Sequence, residues 1–285
     1  MGLWDMELLK DSVSKLPFET RIINGGELPT DKGAIIFLAG GWCSSKSREE
    51  INELSDKIKQ LPFALIFHTS DEGDLFDSSF LRSEKVKIWR QNAKPFIGAK
   101  YDRNILFSYT AGTLAFAERF KDIEKDILWS FCGQVTHSKR EGCIAELSKR
   151  NDGYLLTTDG FAKGLEHNEY FNIMGRSKIV ICPSGPVSPE TFRQQEAMEF
   201  GCLPICDKRA PNWAQDIDYW QFAVGQVPFP TVNNWAEIHN ILDHYIHKPE
   251  QLYTDTTNTC NWWQNYKDEL LQSMINDIIE LKGDN

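Results

Sequence analysis

The sequence predicts an α/β fold with parallel sheets, organised as two units, and three observations predict it. Residues 34–67 and residues 178–206 each read strand, helix, strand at the spacing of a parallel βαβ crossover. The strand segments are short, β-branched and apolar along their length, as in strands covered on both faces. The chain has 285 residues, long for one domain and enough for two that each bury a core.

In chain order, residues 1–30 predict a short helix and a strand at 20–24 ending at Gly25 and Gly26. Residues 34–39 form a buried strand. A helix over 47–60 follows, with acids near its start and Ile51, Leu54 and Ile58 on one face. Residues 63–67 are the next strand and 86–89 another, while 93–118 read as irregular apart from a short strand at 105–107. The charged stretch 120–125 sets a boundary between domains 1–120 and 121–260, and residues 261–285 are a C-terminal helix.

The second half opens with a strand at 127–131 and a turn at Cys132, Gly133 and Gln134. His137, Ser138 and Arg140 begin a helix that runs to about residue 149. A strand at 154–158 and a helix at 170–175 lead to the strand at 178–182, which stops at Pro183, Ser184, Gly185 and Pro186. Ser188 as N-cap, Pro189 in the first turn and the carboxylate of Glu190 predict that the next helix starts there and ends at Gly201. Residues 203–206 are a strand, 213–220 a helix, 222–224 a strand, 235–246 a helix and 262–282 an amphipathic helix.

A strand, a Gly-containing turn and a helix start direct backbone N–H groups and a positive dipole end at one point, where phosphate binds readily. Arg193 and Glu196 are three apart and leave the helix on one side. An arginine grips a diphosphate and a carboxylate accepts both hydroxyls of a ribose, which reads as a nucleotide diphosphate site. An ordinary surface ion pair on a crossover helix has the same spacing, and spacing does not choose between them.

The stretch 177–206 also resembles the C-terminal nucleotide-sugar motif of exostosin-like glycosyltransferases. The resemblance rests on Ser177 and Lys178, on Pro183, Ser184 and Gly185, on Arg193, Gln194, Gln195, Glu196 and Ala197, and on Gly201 to Ile205. Weaker echoes occur at 68–73 (HTSDEG), 88–92 (IWRQN) and 129–140 (WSFCGQVTHSKR). The resemblance implies a GT-B fold: two Rossmann-like domains with parallel sheets facing across a cleft, and a C-terminal helix crossing back to the N-terminal domain. It implies an inverting, metal-independent transfer from a nucleotide-diphosphate sugar, with no cofactor. The donor would bind the C-terminal domain through Arg140, Ser184, Gly185, Ser188, Arg193 and Glu196, with Arg90, Gly133 and Gln134 as further donor or acceptor contacts. The acceptor would bind the N-terminal domain.

Ligand sites of open parallel sheets lie beyond the carboxyl ends of the strands, where the polar run 68–74 falls. Inversion needs a base that takes the proton of the attacking hydroxyl. Asp71 is the candidate, with Glu72 as substitute and His68 as orienting partner or second candidate. A solvated acidic loop is the alternative. The pair Asp216 and Asp218 matches a metal-holding D-x-D pattern that a metal-free reading leaves without a task. His239, Asp243, His244 and His247 read as an exposed helix face rather than a metal site.

A net charge of -10 argues against a broad nucleic-acid or anionic-membrane surface. The resemblance implies a bacterial or viral surface glycan as acceptor, which the acidic charge favours over the alternative, a hydroxymethylated base of viral DNA. A sugar-nucleotide epimerase or phosphatase, or a binding module without turnover, would share the nucleotide site. Seven cysteines in apolar surroundings read as reduced core residues. No run is long enough for a signal peptide or membrane span, and because eukaryotic exostosin-like enzymes usually carry an N-terminal anchor, the resemblance then implies the cytoplasm of a bacterium or of a virus-infected host.

Overall fold

The structure, a computed structural model, describes residues 6–20, 28–29, 31–70, 73, 75–92, 100–135, 137–158, 160, 163–209 and 217–283. The expected strand at 20–24 lies, from residue 21 on, outside them. In order the elements are α1 (Glu7–Ser14), β1 (Ala34–Ala39), α2 (Gly40–Cys43), α3 (Arg48–Lys59), β2 (Ala64–Thr69), β3 (Val86–Arg90), β4 (Arg103–Asn104) and α4 (Thr113–Arg119). Then come β5 (Ile127–Gln134), α5 (Ser138–Leu147), β6 (Tyr154–Thr158), α6 (His167–Arg176), β7 (Ser177–Cys182), α7 (Phe192–Glu199) and β8 (Leu203–Asp207). The last are α8 (Tyr219–Ala223), β9 (Thr231–Val232), α9 (Ile238–His247) and α10 (Pro249–Lys282). The chain is α/β with two parallel sheets, and it divides into two compact units: Lys10–Phe107 with Lys267–Asn285, and Met1–Leu9 with Ser108–Tyr266.

In the first of these units the sheet order is β1-β2-β3-β4, all parallel. Helix α3 starts where Ser47 Oγ accepts the Glu50 N–H and the Glu50 carboxylate accepts the Ser47 N–H, a reciprocal cap. Its apolar side meets Leu38, Ile66 and Ile88, which alternate onto one sheet face. The other face carries Phe37, Phe67 and Trp89, with Phe67 edge-on to Trp89 at 5.4 Å. Trp89 Nε1 donates to Asp277 and Lys87 pairs with Asp277 and Glu280, which fastens the end of α10 along β3. Residues 105–107, expected as a strand, lie outside the strands, and the Ile105 N–H donates to the Arg90 carbonyl.

In the second unit the order is β6-β5-β7-β8-β9, again parallel throughout. Trp129, Phe131, Ile179, Val180, Ile181, Leu203 and Ile205 are buried, and full burial of each large side chain stabilises by roughly 1.5–3 kcal/mol. Helix α7 ends as the sequence predicts: Gly201 takes φ 64°, its N–H bonds Met198, and the Cys202 N–H bonds Ala197.

Four expectations need correction here. Cys132, Gly133 and Gln134 are strand rather than turn, because parallel pairing with β6 runs on to Gln134. The segment 113–119 is helical, capped from outside by the Glu7 carboxylate on the Gly112 and Leu114 N–H groups. Phe222 and Ala223 lie in α8, not a strand, since Asp218 caps that helix at Trp220 and Gln221. Finally, the last helix begins at Pro249, well before residue 262. Six of the seven cysteines are buried.

Candidate functional site

The chain leaves β5 toward β6 on one side and leaves β7 toward β8 on the other, although β5 and β7 are neighbours. The carboxyl ends of these two strands thus form a topological switch point, the place where open parallel sheets bind ligands. The expected donor residues of this unit come from the segments that follow these strands.

Arg140, in the first turn of α5 and 7% exposed, bridges them. Its Nε donates to Ser184 O at 2.9 Å and its Nη1 to Gln134 O at 3.1 Å. His137 Nε2 lies 2.9 Å from the same Ser184 carbonyl, so that nitrogen carries the proton and donates. From the far side Asp207, which closes β8, accepts the Ser184 N–H at 2.6 Å. The turn after β7 is therefore held at both its carbonyl and its amide. Ser184 Oγ is fully buried and has no partner among the described residues, and Gly185 and Ser188 are buried in the same connection.

Burial pushes the Asp207 carboxyl up from its ordinary value. Burial likewise pushes His137 and Lys139 down, and Lys139 sits 4.0 Å from Asp207 while donating to Arg209 O. Asp207 is absent from the motif reading. Its position at a strand's carboxyl end is the signal that finds it.

Arg193 sits in the first turn of α7. Its guanidinium lies over the Phe131 ring, 4.7 Å from the centroid, and Nη2 donates to Cys132 O at 2.8 Å. Nε and Nη1 are buried without a partner among the described residues. Gly133 makes room for this arrangement, since a Cβ there would meet Nη2.

The helix start differs from expectation. Residues 188–190 lie outside the helix and Thr191 is the cap; Gln194 reaches back to the Thr191 N–H and to Pro189 O. Glu190 does not serve the helix dipole because it accepts the Tyr219 hydroxyl in the interior.

Glu196, a turn further along α7, is 2% exposed. It accepts Thr110 Oγ1 at 2.8 Å and the Tyr170 hydroxyl at 2.7 Å. Burial, and then the Glu196 charge, push Tyr170 well above the ordinary phenol value, which keeps it a donor. Arg193 and Glu196 make no ion pair with each other; each has its own partners. Next to them Gln195 is fully buried, with neither amide atom partnered among the described residues.

In the other unit, His68 at the carboxyl end of β2 is 1% exposed, with Nδ1 2.7 Å from Ser78 Oγ and 3.3 Å from Arg90 Nη1. Arginine only donates, so Nδ1 is an acceptor. Arg90 also donates to the Tyr101 hydroxyl at 2.9 Å and lies over that ring. Asp77 accepts from Tyr101, Lys100 and the Ser79 N–H. Burial raises its pKa, but the bonds from Lys100 and Ser79 outweigh this and hold it well below the carboxylate range. Asp71 and Glu72 lie outside the described residues.

Elsewhere, Asp218 caps α8 and pairs with Lys208, while Asp216 is outside the described residues. His239 bonds Glu146 and Asp243 pairs with Arg150, a surface arrangement on α9. Among the described residues no three His, Cys, Asp or Glu side chains are grouped as a metal ion would need, and no helix is long and apolar enough to cross a membrane.

No curated protein matches this chain. A solved structure described as "Crystal structure of GtfA/B complex" aligns over 80% of this chain and 60% of its own, with 11% identity and a TM-score of 0.35. This chain thus spans less than two thirds of that one. Residues 137–282, just over half of the chain, match the family model of the RXYLT1 C-terminal domain, and that stretch holds Arg140, Ser184, Arg193 and Glu196. The chain belongs to the RXYLT1 C-terminal domain family.

Proposed function

We propose that the protein is an inverting, metal-independent glycosyltransferase of GT-B type that moves a sugar from a nucleotide-diphosphate donor to a glycan hydroxyl. The family is glycosyltransferase-like, and the two parallel sheets are consistent with a GT-B-like fold. One observation carries the donor assignment: at the switch point, Arg193 holds two buried nitrogens without a partner among the described residues. A buried donor without an acceptor costs about 1–3 kcal/mol, a cost that a diphosphate oxygen removes. The half of the guanidinium already fixed by Cys132 and Phe131 is preorganised for that anion.

In this reading the acceptor oxygen attacks the anomeric carbon as the bond to the diphosphate breaks, and a base on the 68–72 segment takes the proton. Arg193 meets the charge that develops on the leaving phosphate, the task a metal ion would otherwise have. Glu196 keeps lone pairs beyond the two bonds it accepts, and these receive the ribose hydroxyls.

Calorimetric titration with UDP, GDP, ADP and dTDP tests the site, followed by transfer assays with the matching nucleotide sugars in EDTA. One diphosphate should bind, and Arg193→Ala should weaken it at least about tenfold. If none binds, or the variant binds equally well, the assignment is wrong. Transfer that EDTA abolishes and manganese restores would overturn metal independence.

A further inference from the structure

Strands β2 and β3 end in the same unusual way. Thr69 is 1% exposed and Gln91 2% exposed, and Thr69 Oγ1 and both amide atoms of Gln91 have no hydrogen-bond partner among the described residues. The strands pair in parallel with Phe67 opposite Trp89 and His68 opposite Arg90, and the ladder continues through the Gln91 N–H to His68 O at 3.0 Å. Alternation therefore sets Thr69 and Gln91 side by side, on the face opposite to the one where His68 meets Arg90.

The next residue on each strand is left-handed: Ser70 has φ 54° and Asn92 φ 61°. These are the only two non-glycine residues with positive φ among those described. Such strain costs energy and persists where surrounding structure requires it, often beside a ligand.

We propose that Thr69 and Gln91 form a binding site for a neutral, hydroxyl-rich ligand of the sugar class. The amide of Gln91 offers both donors and an acceptor, and the Thr69 hydroxyl does the same. An alcohol also does both, so neighbouring sugar hydroxyls satisfy every orphan atom of the pair. An anion would oppose the Gln91 carbonyl, and a cation would leave its amide donors unused. Of the cationic groups nearby, Arg90 is engaged with Tyr101 on the other face, and Arg103 is engaged with the Trp89 ring. Taking this ligand for the transfer acceptor rests on the proposed function; its binding does not.

Saturation-transfer NMR on the full chain, without nucleotide, tests the site with methyl β-glucopyranoside, methyl β-galactopyranoside and methyl β-xylopyranoside, and with glucuronate and inorganic phosphate as charged controls. At least one methyl glycoside should give a signal. Thr69→Val and Gln91→Met should each weaken it about tenfold, the worth of one or two hydrogen bonds. Both variants should melt at or above the wild-type temperature, because each replaces an orphan polar group by an apolar one of similar shape. UDP titration at Arg193, measured separately, should be unchanged. A glycoside signal equal in wild type and variants, an equal response to phosphate, or a lowered melting temperature in both variants would each overturn the proposal. The last outcome would show that the two side chains hold the fold.

Discussion

The Arg193 guanidinium lies against the α-carbon of Gly133, so closely that a Cβ at that position would stand 2.4 Å from Nη2. Gly133 is needed here for space, on a strand where any side chain would otherwise suit. Gly133→Ala must therefore displace Arg193 from the Cys132 carbonyl and the Phe131 ring. Affinity for the nucleoside diphosphate that binds wild type should fall about tenfold, and Arg193→Lys, with no second nitrogen to offer, should also bind weakly. The atom that yields is the tip of a flexible side chain, so unfolding free energy should change by no more than about 1–2 kcal/mol. Calorimetry and urea melts check both numbers, and wild-type affinity in Gly133→Ala would remove Arg193 from the donor site.

Where local chemistry decides, the sequence is readable. Strands β1 and β6 fall at the residues expected, and the Ser47 cap and the Gly201 stop lie at the ends of their helices because each acts within a few residues of itself. What is missed depends on distant partners. Helix α4 is capped by Glu7, more than 100 residues earlier, and no window around residue 113 contains that information. The delayed start of α7 follows from Tyr219, which draws Glu190 inward from 29 residues away. In the site, the motif picks out Arg193 and Glu196 but not Thr110, Tyr170 or Asp207, which belong to other elements and reach it only through the fold.

Glu196 is predicted to serve both the fold and the nucleotide. Glu196→Ala strips the acceptor from two buried hydroxyls, Thr110 and Tyr170, and should lose about 2–4 kcal/mol of stability. Glu196→Gln keeps the shape and one carbonyl oxygen, so it should fold near normally while binding free nucleoside diphosphate several-fold less tightly. Unchanged nucleotide affinity in the folded Gln variant would leave Glu196 a purely structural residue.

A third prediction concerns pH. Burial first, and then the charges of Arg140 and Lys139, hold His137 below its ordinary value, against the opposing Ser184 bond. Just below about pH 6.5 the unfolded chain binds a proton that the native protein refuses, so stability contributed by His137 is present above that pH and declines as pH falls. His137→Gln retains an N–H for the Ser184 carbonyl and removes the titration. Urea midpoints measured from neutral to mildly acidic pH should fall more steeply for wild type than for the variant. Parallel curves would assign the acid sensitivity to other groups.

The base is the last assignment to test, and it rests on Asp71. Of the three candidates at the end of β2 and just beyond it, His68 is poorly placed to take a proton at Nδ1, which already accepts from Arg90 and adjoins Ser78. We propose Asp71 as the base, with Glu72 as its substitute. Asp71→Asn keeps size and hydrogen-bonding shape but loses basicity. Turnover should drop about 10²–10⁴-fold with nucleotide affinity unchanged, the signature of a lost proton acceptor rather than a lost contact. Glu72→Gln should cost much less. Single-turnover transfer from the nucleotide sugar, with nucleotide binding measured beside it, separates the outcomes. Should Asp71→Asn stay near the wild-type rate while Glu72→Gln collapses, the neighbour is the base. If both retain activity, the proton leaves by a group outside this segment.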